Sequence, residues 1–430
     1  MVECADWLPG PRPADLRRAA GMHILLVHQL FIRPDDPGGT RHYELARHLI
    51  ARGHRVTILA GTRSYLTGAP IARGAREVLA PGLEIVRCGS VGRVHGNFAW
   101  RTLDFLTFTW TSLLAGLRLD PADLVWATSP PLLQAASAWA IARSQRLPWV
   151  FEVRDLWPAF AIQVGVLRNR LLIALSLWLE QFLYRRADRV VVNSPGFRPH
   201  VKERGVDESR LTLIPNGVEA GMFDPAAGGS SFRAAHALGK RFVAVYAGAH
   251  GLSNDLGVVL QAAGELREER GIAFVFVGDG KEKPALEARA KAEGLNNVLF
   301  LPPVAKEEMA DVLAAADCGI AILKPLPLYA TTYPNKVFDY MAAGRPVVLA
   351  VDGVIRQLVE EAGAGVFVPP GDGPALAGAI RRLAADRAAA RRMGARGRRL
   401  VETRFERRLQ AEQLERLFLD VAGGRRRSEA

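Results

Sequence analysis

The stretch Phe242-Val243-Ala244-Val245-Tyr246-Ala247-Gly248-Ala249-His250-Gly251 is six apolar residues in unbroken succession, closed by a glycine-rich loop. An alternating pattern would mark a strand with one wet face. An unbroken one marks a strand covered on both faces, the condition of a parallel sheet between two layers of helices. The same signature recurs downstream at Ala273 to Val277, Val298 to Leu301, Gly319 to Leu323, Val347 to Ala350 and Gly365 to Val368. It recurs upstream at His23 to Val27, Val56 to Ala60, Leu83 to Val86, Leu124 to Ala127, Trp149 to Val153 and Val190 to Val192. Helical stretches lie between, such as Thr40 to Arg52 with Leu45, Ala46, Leu49 and Ile50 on one face and Gly53-His54 as its stop. Two successions of strand and helix predict an α/β protein of two Rossmann-like domains whose parallel sheets face a central cleft.

Length agrees, because 430 residues exceed what one core organises comfortably. The expected division is an N-terminal extension over 1–21, expected to be disordered, a first domain over 22–210, a second over 211–403, and a helix with a basic tail over 404–430 that crosses back to the first domain. Met1 to Gly21 carries three prolines and charges but no apolar segment, so it does not read as a secretory signal. Cys4, Cys88 and Cys318 are isolated, which argues against a disulfide framework or a zinc site and fits a reducing, cytoplasmic compartment. A net charge of +12, with Arg-rich stretches from Arg381 to Arg408 and at Arg425 to Arg427, suits nucleotide diphosphates or anionic lipid headgroups, or simply solvated helix faces. No pattern of a nucleic-acid-binding module accompanies it. Phe105 to Leu117, flanked by Arg101 and Arg118, would reach about 20 Å as a helix against the roughly 30 Å of a bilayer core. It reads as a core helix, or as a surface for peripheral contact with the inner membrane face.

Ligands of open parallel sheets bind beyond the carboxyl ends of the strands, so candidate residues are sought in those loops. After the first strand, Gly38 and Gly39 allow close backbone approach to a diphosphate and Thr40 is placed to cap the next helix. After Trp149 to Val153 come Arg154 and Asp155, a charged pair beside Trp157-Pro158 that could contact a sugar or its phosphates, or form a structural ion pair. In the second half, Gly248 opens one loop and Gly278-Asp279-Gly280 closes the next strand. The richest run is Tyr333 to Pro346, a short helix with Phe338, Met341 and Ala342 on its buried face. Lys336 and Asp339 occupy its first turn, where an ammonium and the helix end together suit a phosphate and the carboxylate suits ribose hydroxyls. No Asp-x-Asp metal clamp occurs, and no cofactor or metal is expected. No G-x-G-x-x-G follows His23 to Val27, which disfavours a dinucleotide oxidoreductase.

Taken in order, Gly38-Gly39, Gly53-His54, Arg154 to Pro158, Pro215-Asn216-Gly217-Val218, Gly278 to Gly280 and Pro334 to Pro346 resemble the retaining family 4 glycosyltransferases of GT-B architecture, in particular the L-fucosamine transferase-like subgroup. The resemblance spans nearly all of 22 to 420. It implies a hexosyltransferase that uses a nucleotide-diphosphate sugar, commonly UDP-linked, and a glycan or polyprenyl-linked acceptor in surface polysaccharide synthesis, without a metal. Arg154 and Asp155 are the catalytic candidates, although many members of the family place a His where Arg154 stands, and Gly38, Gly39, Gly248, Gly278, Asp279, Lys336 and Asp339 are the donor-binding candidates. The family's Glu-x7-Glu motif is altered: Asp339 takes the second position and Thr331 the first. The alternatives are a catalytically silent transferase partner and a nucleotide-sugar epimerase.

Overall fold

The computed structural model describes residues 21–63, 74–91 and 98–428. The expected extension, Gly21 apart, and the side chains of Arg425 to Arg427 lie outside the described residues. The first sheet has eight strands in the order β3-β4-β2-β1-β5-β6-β7-β8. They are β1 His23–Val27, β2 Arg55–Ala60, β3 Arg76–Ala80, β4 Leu83–Arg87, β5 Leu124–Ser129, β6 Trp149–Val153, β7 Arg189–Val192 and β8 Leu211–Leu213. The second has six, in the order β11-β10-β9-β12-β13-β14: β9 Phe242–Ala247, β10 Ile272–Val277, β11 Val298–Leu301, β12 Cys318–Ile322, β13 Val347–Ala350 and β14 Gly365–Phe367. All pairs are parallel except the edge pair β3/β4. The two domains with parallel sheets expected from the sequence are the ones found.

Two corrections concern edges. β8 pairs with β7, Val190 opposite Leu211, so the first sheet runs past the expected boundary at 210. A three-residue strand on a sheet edge needs only one covered face and leaves no long apolar run to read. β3, with the half-exposed pattern of Arg-Glu-Val-Leu-Ala, is the second strand that the apolar-run criterion passes over.

Strand order reverses beside β1, flanked by β2 and β5, and beside β9, flanked by β10 and β12. At each reversal the connections depart to opposite faces and leave a crevice at the strand ends. These crevices hold the cavities described below.

The helix Arg407–Ser428 packs on the first domain. Leu414, Leu417, Phe418 and Val421 bury themselves in the first domain's core with Leu45, Leu49 and Trp126, and the Phe418 and Trp126 rings meet edge-on at 5.5 Å. His54 explains the Gly53-His54 pair: one ring nitrogen meets the backbone N–H of Met22 at 3.1 Å and the other the Glu415 carboxylate at 2.9 Å. Asn216 has a similar linking role, donating to the Tyr333 carbonyl at 2.7 Å across the junction. Part of the Arg-rich stretch from Arg381 is taken up in ion pairs: Arg381 with Glu269, Arg387 with Asp317, Arg408 with Glu412.

Candidate active site

The helix Asn335–Ala342 is seated by its apolar face. Val337, Phe338, Tyr340, Met341 and Ala342 are all fully buried on the second sheet, and each large side chain so covered contributes about 1.5–3 kcal/mol. Depth is set by one close approach. A Cβ on Gly319 would stand 2.2 Å from the Tyr340 ring, so glycine there lets the ring lie on the strand, where its hydroxyl accepts from the Ala247 N–H at 2.9 Å. The helix start is thereby fixed beside the ends of β9 and β10.

A cavity of about 260 Å³ opens there. The second domain supplies Gly248, Gly278, Asp279, Lys306, Lys336 and Asp339, and the first supplies Gly38, Gly39, Thr40, Arg41 and Glu44. Every residue expected to bind the donor is therefore brought to one cavity. Gly248 and Gly278 sit at φ of +138° and +148°, and a Cβ on Gly278 would stand 1.9 Å from the Gly248 carbonyl oxygen. The two turns pack backbone on backbone, an arrangement only glycine permits. Lys283 braces them, donating to the carbonyls of Gly278 and Leu301 at 2.9 Å each.

Lys336 and Asp339 are one turn apart but have different partners. The Lys336 Nζ lies 3.7 Å from the centre of the Tyr246 ring, buried and without a hydrogen-bond partner. Desolvation pulls its ammonium down to about 7. Asp339 takes an ion pair from Lys306 at 2.6 Å. Burial still leaves its carboxyl above the usual range, with Lys306 opposing that rise.

Thr40 does not cap its helix: its side chain makes no capping bond and donates instead to Glu44 at 2.5 Å. The other oxygen of Glu44 pairs with Arg407 at 2.7 Å, and Arg407 also donates to the Gly217 carbonyl. Arg41, Glu44, Lys306 and Arg407 are charged residues of the cavity that sequence reasoning missed. Glu44 and Arg407 lie far apart in sequence, with no local pattern joining them. Lys306 does follow a strand, β11, and the rule about strand ends could have found it.

A second cavity, about 590 Å³, adjoins the first and shares Gly39, Arg41 and Asn335 with it. Arg154, Asp155, Trp157, Phe160 and Tyr329 are among its walls. Arg154 and Asp155 are not an ion pair. Arg154 donates to the Thr128 hydroxyl at 2.7 Å and the Pro130 carbonyl at 3.2 Å. Asp155 is exposed on the wall of this cavity; desolvation there raises its carboxyl above the usual range and Arg154 opposes the rise. Thr331 borders neither cavity; its hydroxyl donates to the Leu328 carbonyl at 2.6 Å within its own turn.

The paired domains, with one pocket at each switch point, invite comparison with known proteins. Residues 38–217 match the glycosyl transferase 4-like domain, and residues 241–386 match the glycosyl transferases group 1 domain. The chain is a GT-B glycosyltransferase. WbjE of Pseudomonas aeruginosa, assigned as a glycosyltransferase, is 26% identical over 60% of this chain and 66% of its own length, just under two thirds. WcaI of Escherichia coli, assigned to colanic acid biosynthesis, is 24% identical over 83% of this chain and 91% of its own. Among solved structures, sucrose-phosphate synthase of Thermosynechococcus elongatus superposes with a TM-score of 0.77 at 20% identity, covering 94% of this chain and all of that one. HepE of Anabaena in complex with UDP-glucose superposes with a TM-score of 0.69 at 18% identity, covering 92% of this chain and 99% of the other. At these identities the superpositions establish the fold of this GT-B enzyme.

The helix Phe98–Arg118 contains the segment Phe105 to Leu117 and is not the core helix that was one of its two readings. Phe108 is fully buried, whereas Leu103, Leu106, Trp110 and Leu117 are exposed, Trp110 at 62%. Leu171, Leu175 and Trp178, the last at 61%, form a second exposed apolar row on the helix Arg170–Arg186. The helix Leu133–Ser144 packs between the two. No helix among the described residues is long and apolar enough to cross a membrane.

Proposed function

We propose that this GT-B enzyme is a retaining hexosyltransferase that moves a sugar from a nucleotide diphosphate, UDP foremost, to a glycan or lipid-linked acceptor in surface polysaccharide synthesis, with an amino or deoxy sugar as the group transferred. The observation that carries the reading is the buried, unpartnered Lys336 ammonium at a helix start that borders a glycine-walled cavity. A diphosphate is the ligand that such a cation and the adjacent amides would accommodate best. UDP-glucose in the similar fold of HepE supports uridine as the base. The role of WcaI supports the polysaccharide setting.

In this reading Asp339 receives the ribose hydroxyls. Lys336, with Lys306 and Arg407 near, carries the charge that grows on the leaving diphosphate. Arg154 and Asp155 serve the acceptor side in the second cavity. Transfer proceeds by front-face displacement with no covalent nucleophile, and the fixed cations and amides are placed for the transition state. A thermal-shift panel of nucleotide sugars tests it: the correct donor at a hundred times its dissociation constant adds about 2.7 kcal/mol of stability. Hydrolysis of that donor by the purified protein separates an enzyme from a silent partner, and a panel with no stabilising donor would overturn the reading.

We propose further that no divalent metal takes part. Side-chain cations supply the positive charge at the cavity, and no cluster of three metal-ligating side chains occurs among the described residues. Activity is expected to survive excess EDTA; its loss and its return with Mn²⁺ would reject the proposal.

The protein is also proposed to be cytoplasmic and to dock on the inner membrane face through the rows of Leu106 and Trp110 and of Leu175 and Trp178, helped by its positive charge. Changing these four residues to serine should release it from anionic vesicles at low salt without lowering its melting temperature. Absence of vesicle binding by the parent would contradict this.

A further inference from the structure

We infer that the acceptor sugar carries a carboxylate, as a uronic acid does, and that Arg101 and Arg154 hold this group in the second cavity. This rests on the transferase reading above and adds to it the chemistry of the sugar that receives the transferred group. The charged residues lining that cavity are Arg41, Arg101, Arg154 and Asp155. Arg41 is already neutralised: its Nε donates to the Glu152 carboxylate at 2.9 Å, and both side chains are buried. Arg101 and Arg154 form no ion pair among the described residues. Arg154 is fixed by two neutral acceptors, the Thr128 hydroxyl and the Pro130 carbonyl, so its position is set while its charge stays uncancelled. Two such cations against the single carboxylate of Asp155 leave a positive surplus, and a planar guanidinium matches a carboxylate edge to edge. A phosphate would also suit arginine, but the rest of a phosphate site is missing. Among the described residues no lysine lines this cavity and Gly39 is its one glycine, whereas the first cavity has Lys306, Lys336 and the two glycine turns.

A second feature of the same cavity marks a hydroxylated ligand. Asn193, only 4% exposed, lines it with a side-chain oxygen that has no partner. A relay fixes which end of the amide is free. Asn216 donates its amide N–H to the Tyr333 carbonyl at 2.7 Å, so its oxygen is the atom that accepts from the Asn193 amide at 3.2 Å. The Asn193 oxygen is therefore the end left over, and a buried acceptor without a donor is costly until a ligand hydroxyl satisfies it. Trp157 and the stacked pair of Phe160 and Tyr329, with ring centres 5.4 Å apart, supply the apolar wall on which the C–H face of a sugar ring can pack. A neutral sugar would meet the wall and the acceptor but leave both cations unanswered. A sugar with a carboxylate meets all three.

The test uses the full chain with saturating UDP, so that the donor cavity is filled. Methyl glucuronide, methyl glucoside and inorganic pyrophosphate are titrated at low salt, with binding read by ligand-observed NMR. Methyl glucuronide is expected to bind at least about tenfold more tightly than methyl glucoside. Arg101→Gln and Arg154→Gln should each remove most of that preference while sparing the glucoside, whereas Asn193→Ala should weaken both sugars alike. UDP affinity, measured separately, should be unchanged in all three variants, which also reports that they are folded. Should Arg154→Gln unfold, Arg101→Gln decides, because Arg101 is only half-buried and its loss breaks no ion pair among the described residues. Equal affinity for the two glycosides, or binding of neither, with UDP binding intact overturns this inference alone. Pyrophosphate that displaces the glucuronide and binds more tightly would assign the arginines to a phosphate and overturn it as well. A comparable preference for UDP-glucuronate over UDP-glucose would place the carboxylate on the transferred sugar and likewise overturn it. Failure of the parent to bind UDP or any other nucleotide diphosphate overturns the donor reading instead.

Discussion

Lys336→Ala is expected to lower UDP affinity by about ten- to a hundredfold and to leave uridine affinity nearly unchanged. A hydrogen bond to a charged group contributes about 1.5–3 kcal/mol, and each 1.4 kcal/mol is a factor of ten. Only the phosphates lose that contact; the nucleoside never makes it. The size of the effect also depends on pH. The unliganded ammonium is lowered to about 7 because it is desolvated over Tyr246, so above neutrality most molecules hold a neutral amine. A diphosphate stabilises the charged form and restores the proton. UDP affinity of the parent should therefore fall as pH rises above 7, and Lys336→Ala should flatten that decline. Calorimetric titration across pH 6.5 to 9 checks both statements; a parent and variant with parallel profiles would mean that Lys336 is structural.

Glu44→Ala is expected to destabilise the protein by about 3–5 kcal/mol, the usual consequence of removing one partner of a buried ion pair. Arg407 is 3% exposed and would retain only the Gly217 carbonyl and Gln410 as acceptors. Since Glu44 stands on the first domain's helix and Arg407 begins the helix that crosses back, the loss should appear in the earliest unfolding step. Glu44→Gln, similar in shape, should cost less. The pH dependence has a definite sign. Burial would raise the Glu44 carboxyl, but Arg407, Lys306 and the Thr40 hydroxyl outweigh it and hold it low. The pair's stabilisation is then present above the ordinary carboxylate range and is lost as acid titrates Glu44 below it. Urea melts at pH 7 and pH 4 measure this; a change under about 1 kcal/mol at pH 7 would show that the pair breaks even.

Most strands of both sheets were legible because a strand covered on both faces must be written in unbroken apolar residues. β3 and β8 were not, for the complementary reason: an edge strand is short and partly wet. The helix Asn335–Ala342 was legible in its apolar spacing and its Gly-x-Pro stop. The partners of its charges were not, because pairing depends on what the fold brings near. Lys336 and Asp339 look like neighbours on a helical diagram. In the structure one meets Tyr246 from β9 and the other meets Lys306 from the loop after β11. Thr40 failed as a cap for a similar reason, since Glu44 takes its hydroxyl and is itself held by Arg407 from the far end of the chain. Residues that act through the backbone, such as Gly248 and Gly278, were legible as glycines at strand ends; their mutual contact was not.

The account's central claim is that a nucleotide diphosphate fills the cavity between the two glycine turns and the start of the helix Asn335–Ala342, charging Lys336 as it binds. Its most direct test is calorimetric titration of the parent protein with UDP and with uridine at pH 8, in two buffers of different ionisation enthalpy. The expected result is that UDP binds at least about tenfold more tightly than uridine and takes up close to one proton, while uridine takes up none. Equal affinity for the two ligands, with no proton uptake by either, would contradict it.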